Sequence, residues 1–536
     1  MDRRLLWLLI AAFSLAASGF ASALTAEQIK PLAEDDFDAK AQALDQIIAA
    51  GDEIAKRMLE ALRDEQLYAT QGGQLVIQDG ESYRDALTGA QVESKADDLQ
   101  SIELNNVLRQ KVAIGLAGLQ LMASDRSVRA NAIQTLLSSG DLVLKPIIEK
   151  ARSSETDPGL RAQLDQLWAS TALRDPDPLK RKEAVTVIEQ RHDPQMRFML
   201  APLLAKPSDG SSIETDPAVR KRMEEAVASL EREATQIQLV GTLFAGISLG
   251  SILLLAALGL AITYGLIGVI NMAHGEFLMI GAYATYCVQN LFATYWPGAF
   301  DWYLLAAVPV SFLAAAVVGL LLERSVIRLL YGRPLETLLA TFGISLILIE
   351  AVRTKFGAQN VQVSNPRWMS GGITILPDLI LPFNRIIIIG FALVVVLITW
   401  IVIQRTRLGL YIRAVTQNRR MAACVGIRTW QIDCYAFAFG AGIAGLGGCA
   451  LSQIGNVGPD LGQSYIIDSF MAVVLGGVGQ LIGTIVGALG LGVLSKLIEP
   501  FWGAVLAKIA ILILIVLFIQ KRPQGLFALK GRSLEM

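Results

Sequence analysis

The sequence predicts an all-α protein of two solvent classes: an exported α-helical, HEAT-like soluble domain followed by a polytopic helical membrane domain. Three observations predict it. Long apolar runs dominate from about residue 236 onward, and most of the charge lies before them. Apolar residues make up 53% of the 536, more than an ordinary soluble domain carries. In the charged half the apolar residues recur with helical period.

The chain opens with Arg3 and Arg4, an apolar stretch from Leu5 to Leu15, and small residues ending Ala21-Ser22-Ala23. This is the n-region, h-region and cleavage site of a signal peptide over residues 1–23. An uncleaved anchor helix is the alternative, and the shortness of the apolar core argues against it. Export would leave residues 24–235 as a periplasmic helical domain. The four cysteines, Cys287, Cys424, Cys434 and Cys449, all fall later and lack C-x-x-C spacing. The exported domain therefore has no disulfide and must rely on an apolar core, which its length allows.

Within it, Leu44, Ile47, Ile48, Ile54, Met58, Leu59 and Leu62 form a helix-period stripe. The segment 72–92 breaks the pattern: Leu75-Val76-Ile77, Asp79-Gly80 and Ser82-Tyr83 predict a small hairpin or ordered loop. A weak repeat follows, opening at Asp125, Asp157, Asp177 and Asp216, each with an aliphatic residue and then Arg129, Arg161, Arg181 or Arg220. Asp suits a helix N-cap, Pro suits the first helical position, and the aliphatic is expected to face the core. Uneven spacing notwithstanding, the pattern resembles HEAT-type helical repeats, a surface suited to protein contacts. Recurrence of good caps in any helical domain is the plain alternative.

From Ile237 the apolar runs predict spans near 237–260, 262–288, 303–322, 335–352, 385–403, 431–452, 465–480, 481–498 and 503–520, some interrupted by Gly. Basic residues set the orientation. Arg324, Arg328 and Arg333 follow the third span. Arg405, Arg407, Arg413, Arg419, Arg420 and Arg428 follow the fifth. Lys521, Arg522, Lys530 and Arg532 follow the ninth. Residues 289–302 carry no Lys or Arg but hold Trp296 and Trp302, as an outer interface would. Nine spans with the N-terminus outside satisfy these signals and the export signal together.

Asn271, His274 and Glu276 interrupt an apolar stretch, and buried intramembrane polar groups normally face a cavity or a partner. They are the candidates for lining a solute path at a broken helix. The alternative is a packing role, with Asn271 and His274 capping the break and Glu276 at the cytoplasmic interface. Gly479, Gly483 and Gly487 are spaced for close helix packing, and Gly440, Gly442, Gly445, Gly447 and Gly448 crowd a second segment. Asp433, Asp468, Lys496 and Glu499 read as interfacial anchors near span ends. His192 stands alone beside Asp193-Pro194 and reads as surface. The net charge of −1 and the lack of a basic block exclude a nucleic-acid partner. There is no G-x-x-x-x-G-K-[ST], H-E-x-x-H, G-x-S-x-G or Cys/His cluster, so no enzyme, metal site or cofactor is expected.

Asn271-Met272-Ala273-His274-Gly275-Glu276, followed by Met279-Ile280-Gly281-Ala282-Tyr283, resembles the signature of the permease subunits of branched-chain amino acid ABC importers. The segment Val474 to Gly487 and the ending Arg522-Pro523-Gln524-Gly525-Leu526 extend the resemblance over roughly 236–530. The fused helical domain departs from the amino acid permeases and resembles the arrangement of the urea ABC transporter permease of the same family. The resemblance implies ATP-driven import of urea or a short amide across a bacterial inner membrane. It also implies a second permease subunit, cytoplasmic ATPase subunits and a periplasmic solute-binding protein as partners, with membrane lipid around the spans. The basic loop 404–428 resembles the helix that couples such permeases to their ATPase, with Arg413, Asn418, Ala422, Ala423 and Gly426 as its candidates. Three alternatives remain: a branched-chain amino acid permease of the same family, a proton-coupled secondary transporter using His274 and Glu276, and a membrane-anchored scaffold.

Overall fold

The computed structural model describes residues 24–527, except 71, 81, 93–98, 138–144, 206–212, 269–270 and 377–378. The expected signal peptide and the end of the basic tail, Lys530 and Arg532, lie outside the described residues. The chain divides into two compact units between Glu233 and Ala234.

The first unit begins with a helical turn at Ala26–Ile29, then α1 (Phe37–Ala50) and α2 (Glu53–Arg63). Asp36 and Asp52 cap them through side-chain bonds to the backbone of Asp38 and Ala55. The expected stripe is the core: Leu44, Ile47, Ile48, Met58, Leu59 and Leu62 are all buried, with Ile54 packed at its edge.

The expected hairpin is larger than read, and the unit is not all-α. Strands β1 (Leu67–Thr70), β2 (Leu75–Asp79), β3 (Ser82–Asp85), β4 (Gln91–Val92) and β5 (Leu99–Ser101) form one antiparallel sheet in the order β4-β3-β2-β1-β5. Register pairs Tyr68 with Val76 and Gln78 with Tyr83. The turn after Asp79 uses Gly80 at φ 65°, a conformation a side chain would disfavour. Leu67, Ala69, Leu75 and Val76 are buried.

Helices α3 (Asn106–Gln120), α4 (Arg126–Leu137), α5 (Lys145–Ser154), α6 (Pro158–Ala172), α7 (Pro178–Gln190) and α8 (Arg197–Leu204) follow. The repeat motif does what its chemistry suggests at the caps: Asp157 accepts from the N–H of Gly159 and Leu160, Asp177 from Leu179, Asp216 from Ala218 and Val219. Leu160 and Val219 are buried, but Leu179 is 76% exposed, because it stands one position early in its repeat. The arginines add a device the sequence reading left unexplained. Arg129 grips both carboxylate oxygens of Glu155, at 2.7 and 3.1 Å, and also donates to the Ala123 and Ser124 carbonyls. Arg181 repeats this on Glu214, both at 2.9 Å, and on the Asp175 and Pro176 carbonyls. Glu155 and Glu214 each stand two residues before a capping Asp and accept its backbone N–H. Fork-shaped pairs thus lock one helical hairpin to the next.

The side-chain bond from Arg129 holds the Glu155 carboxyl below its ordinary value of 4.5. A carboxylate with a depressed folded pKa contributes stability that is full above the ordinary value and is lost as pH falls through the lower one. Arg129→Met is therefore expected to lower the melting midpoint by about 3 °C or more at pH 7, and by less at pH 3. An equal drop at both pH values, measured by thermal melts, would refute the assignment.

In the second unit the apolar runs become α9 (Pro217–Ile267, its first turns belonging to the first unit), α10 (His274–Tyr295), α11 (Tyr303–Ser325), α12 (Pro334–Phe356) and α13 (Phe383–Arg405). They continue as α14 (Arg407–Gln417), α15 (Arg419–Cys424), α16 (Thr429–Ser452), α17 (Leu461–Gly476) and α18 (Leu481–Lys521). Among the described residues, six helices are long and apolar enough to cross a membrane: α9, α11, α12, α13, α16 and α18. α18 takes the positions of two expected spans and bends at Gly503, whose φ of 75° and ψ of 165° interrupt the helix just after Pro500. The break between the first two expected spans is also displaced. It falls between Ile267 and His274 rather than at 261, because apolar helix formers run through Ala261. A hairpin, β6 (Gly372–Leu376) with β7 (Leu379–Pro382), joins α12 to α13 and was not foreseen. α16 carries the core of this unit. Its glycines take backbone contacts that no side chain could share: Gly440 on Gly259, Gly445 on Ser311 and Gly448 on Leu278.

Candidate functional site

The three candidate residues sit where α10 begins. His274 is fully buried and its Nε2 lies 3.1 Å from the Ala256 carbonyl. A carbonyl only accepts, so Nε2 carries the proton and Nδ1 of the neutral ring is an acceptor. Ala256 precedes the end of α9, Ile267, by eleven residues, or about 16 Å of helix. α10 therefore starts about a third of the way back along the apolar part of α9. Asn271 supports the return: its Oδ1 accepts the Ala273 N–H at 3.0 Å. The Met272 N–H donates to Thr341 Oγ1 at 3.1 Å.

Glu276 is 1% exposed, enclosed by protein on all sides. Its Oε1 accepts the Ser345 hydroxyl at 2.8 Å. Thr337, Thr341 and Ser345, one turn apart on α12, are all buried and turn a hydroxyl stripe toward the start of α10. Three atoms in this cluster have no hydrogen-bond partner among the described residues: Asn271 Nδ2, His274 Nδ1 and Glu276 Oε2. Asn271 thus has a structural task at one end of its amide and a free donor at the other.

The start of α17 meets the start of α10. A Cβ on Gly275 would lie 2.4 Å from the Gly462 carbonyl, and one on Gly462 would lie 2.4 Å from the Gly275 carbonyl and 2.8 Å from Glu276 Oε2. From that meeting point the two helices run apart. α10 climbs beside α12, with Tyr283 stacked on Phe356 at 4.7 Å. α17 descends to a turn at Gly479, which packs on Gly265 near the end of α9. Two helix N-termini, each the positive end of a dipole, therefore face one another in the interior of the unit, with the Glu276 carboxyl beside the contact.

The first turns of α17 also border a cavity of about 560 Å³. Leu461, Ser464 and Tyr465, from those turns, line it. Ser248, Leu249, Ile252, Leu451 and Ile454 line one side, and Asn360, Arg385, Asn456, Asp460 and Lys496 supply polar groups. Ser248 Oγ is buried and without a partner among the described residues. Asp460 is paired with Arg353 at 2.7 Å and Lys496 with Glu499 at 2.6 Å, whereas Arg385 has no ion pair among the described residues. Sequence reading missed this cavity because its walls come from five separate stretches of the chain. The one local signal was Lys496 and Glu499, which read as anchors and are in fact an ion pair beside the cavity.

The basic loop folds as α14 and α15. Asn418 caps α15 by accepting the Met421 N–H at 2.9 Å, and Gly426 at φ 90° ends it. Arg413 is tied back to the Ile403 carbonyl and Gln404 at the end of α13. Ala422 is buried against Ile412, Val415 and Ile432, so it cannot fill a partner's groove. Ala423, Gly426, Met421 and Val425 are exposed. Of the spaced glycines, Gly483 packs on Gly476 and Gly487 on Ala472, while Gly479 belongs to the turn before α18. Asp433 and Asp468 are not free anchors but partners of Arg419 and Lys508. His192, exposed as expected, bonds Glu233 at 2.6 Å.

Among the described residues no group of His, Cys, Asp and Glu could hold a metal ion. Residues 242–519 match the family described as branched-chain amino acid transport system / permease component. The high-affinity branched-chain amino acid transport system permease protein LivH of Salmonella typhimurium is 30% identical over 294 residues, which are 53% of this chain and 94% of that protein. BraD of Pseudomonas aeruginosa, named for the same system, is 30% identical over 287 residues, covering 52% and 93%. The ribose import permease protein RbsC of Escherichia coli is 33% identical over a shorter stretch of 110 residues, 19% of this chain and 34% of that one. No solved structure matches the chain.

Proposed function

The chain belongs to the branched-chain amino acid transport system permease component family, and from that we propose that it forms the solute path of an ATP-driven importer for urea or a short amide. It is a multi-pass membrane transport subunit, not an enzyme, as the permeases it matches are. One observation carries the path: the first turn of α17 lines the polar cavity and also meets the start of α10, where three polar atoms have no partner among the described residues. Discontinuous helices whose N-termini meet at mid-depth are a recurring way to hold a polar solute in a membrane. A solute entering from outside reaches the cavity first. It then passes Gly275 and Gly462 when α17 moves off α10, and meets Asn271, His274 and Glu276.

The substrate reading rests on two supports. The 53% of the chain aligned to LivH accounts for 94% of that protein, so most of the first unit has no counterpart there. A fused helical domain of this kind is what the resemblance to urea permeases implied. The free donor on Asn271 and free acceptors on His274 and Glu276 also suit a neutral molecule rich in N–H groups with one carbonyl. The names of the relatives and the aliphatic cavity wall with its unpaired Arg385 favour a second reading, a branched-chain amino acid. Uptake of labelled urea and labelled leucine by a strain lacking this chain separates them. Urea uptake is expected to be lost and leucine uptake kept, and the opposite pattern would overturn the assignment.

The nine-span topology, the bacterial inner-membrane location, the signal peptide and a periplasmic, HEAT-like first unit belong to this reading. So do a second permease subunit, ATPases that meet Met421, Ala423 and Val425, and a solute-binding protein that docks on the first unit.

A further inference from the structure

Arg419 opens α15, the short helix in the basic loop, and its guanidinium bonds Asp433 in α16. Asp433 is buried, its side chain 3% exposed, while that of Arg419 is 45% exposed. The guanidinium also lies over the Tyr331 ring, 4.6 Å from its centre, in the segment between α11 and α12. Next to Asp433, the Cys434 thiol donates to Glu323 at 2.5 Å, fastening α16 to the end of α11. Beside the apolar packing of Ala422 on Ile432, the loop is therefore joined to the bundle by an ion pair whose acid belongs to the most buried span. A surface loop needs no such contact merely to carry positive charge.

From Asp433 the route inward is short. Gly440 lies seven residues on, about 10 Å along the same rigid helix. A Cβ on Gly440 would lie 2.8 Å from the Gly259 carbonyl, and one on Gly259 would lie 3.1 Å from the His274 ring. Resting on the reading of this chain as an ATP-driven permease, we propose that the Arg419–Asp433 pair is the latch through which motion of α15 is passed to α16, and so to the start of α10. Met421 and Val425, 61% and 70% exposed, form the outer face that a moving partner would push. Arg419 is a positioning residue: it touches no solute, and it converts a push on the loop into a displacement of α16.

The test uses the assembled importer in proteoliposomes, with ATP hydrolysis and solute uptake measured on the same sample. Asp433→Asn is expected to keep hydrolysis within about twofold while uptake per ATP falls about tenfold, the scale of ordinary coupling between sites. Arg419→Lys, which keeps the charge, should retain most of the uptake per ATP. Arg419→Gln combined with Asp433→Asn keeps a hydrogen bond without stranding either charge, so it guards against a variant that merely misfolds. It should lose uptake per ATP as well. Normal coupling in that double variant, or a proportional fall of hydrolysis and uptake, overturns the latch. Absence of ATP-driven uptake in the unaltered complex would instead strike the permease reading itself.

Discussion

Gly448→Leu is expected to remove folded protein from the membrane. A Cβ at this position of α16 would stand 1.9 Å from the Leu278 carbonyl oxygen, 2.7 Å from its carbon and 2.9 Å from the Ala282 nitrogen. Those are backbone atoms of a helix packed on both sides, so no rotamer change relieves the clash. Overpacking a core costs about 1–3 kcal/mol where side chains can adjust, and a backbone clash belongs at or above the top of that range. Gly490→Ala on α18 is the matched control, since nothing lies within 4 Å of its Cβ position. Detergent-extracted yield and the melting midpoint of the two variants decide the matter. A Gly448→Leu protein with the yield and midpoint of the control would mean that α10 and α16 do not meet as described.

Glu276→Gln should leave the protein in the membrane at normal amounts and lower solute uptake by about tenfold, equivalent to about 1.4 kcal/mol. The carboxyl stands beside two helix N-termini, whose dipoles act on it more strongly than on an amide. Its Oε2 is also the one carboxylate acceptor among the three unpartnered atoms of the site. The Gln amide would keep the bond from Ser345 if its oxygen took the place of Oε1, so the difference is confined to the free side. Ser345→Ala, which loses only that bond, should reduce uptake less. Equal uptake by Glu276→Gln and the unaltered protein, at matched expression, would mean that solute does not approach this carboxyl.

Much of this architecture is legible in the residues, because spans declare themselves by local composition. The runs beginning near residues 303, 335, 385 and 431 became α11, α12, α13 and α16 within a few residues. Locating the polar cluster needed only the observation that Asn271, His274 and Glu276 interrupt apolar sequence. What escaped was long-range or very short. The strands of the first unit run two to five residues, too few for a period to emerge, and their pairing partners lie up to 33 positions away. The fork of Arg129 on Glu155 spans 26 positions, and no local pattern names the acid. Asp433 looked like any polar residue near a span end, because its partner sits across a loop. The depth at which α10 begins depends on which carbonyl His274 reaches, a fact of tertiary packing alone.

The segment after α18 bears on how the protein is made. Leu526 donates its N–H to the Leu475 carbonyl at 2.9 Å, Phe527 donates to Gly476 at 3.2 Å, and Gly525 packs on Gly477. These residues close the turn between α17 and α18, yet the ribosome adds them only after α17 and α18 have been synthesised. The end of α17, the same helix whose start lines the cavity, therefore waits for the segment that follows α18. A nascent chain stalled before Gly525 would hold α9 to α18 and still lack this corner's closure.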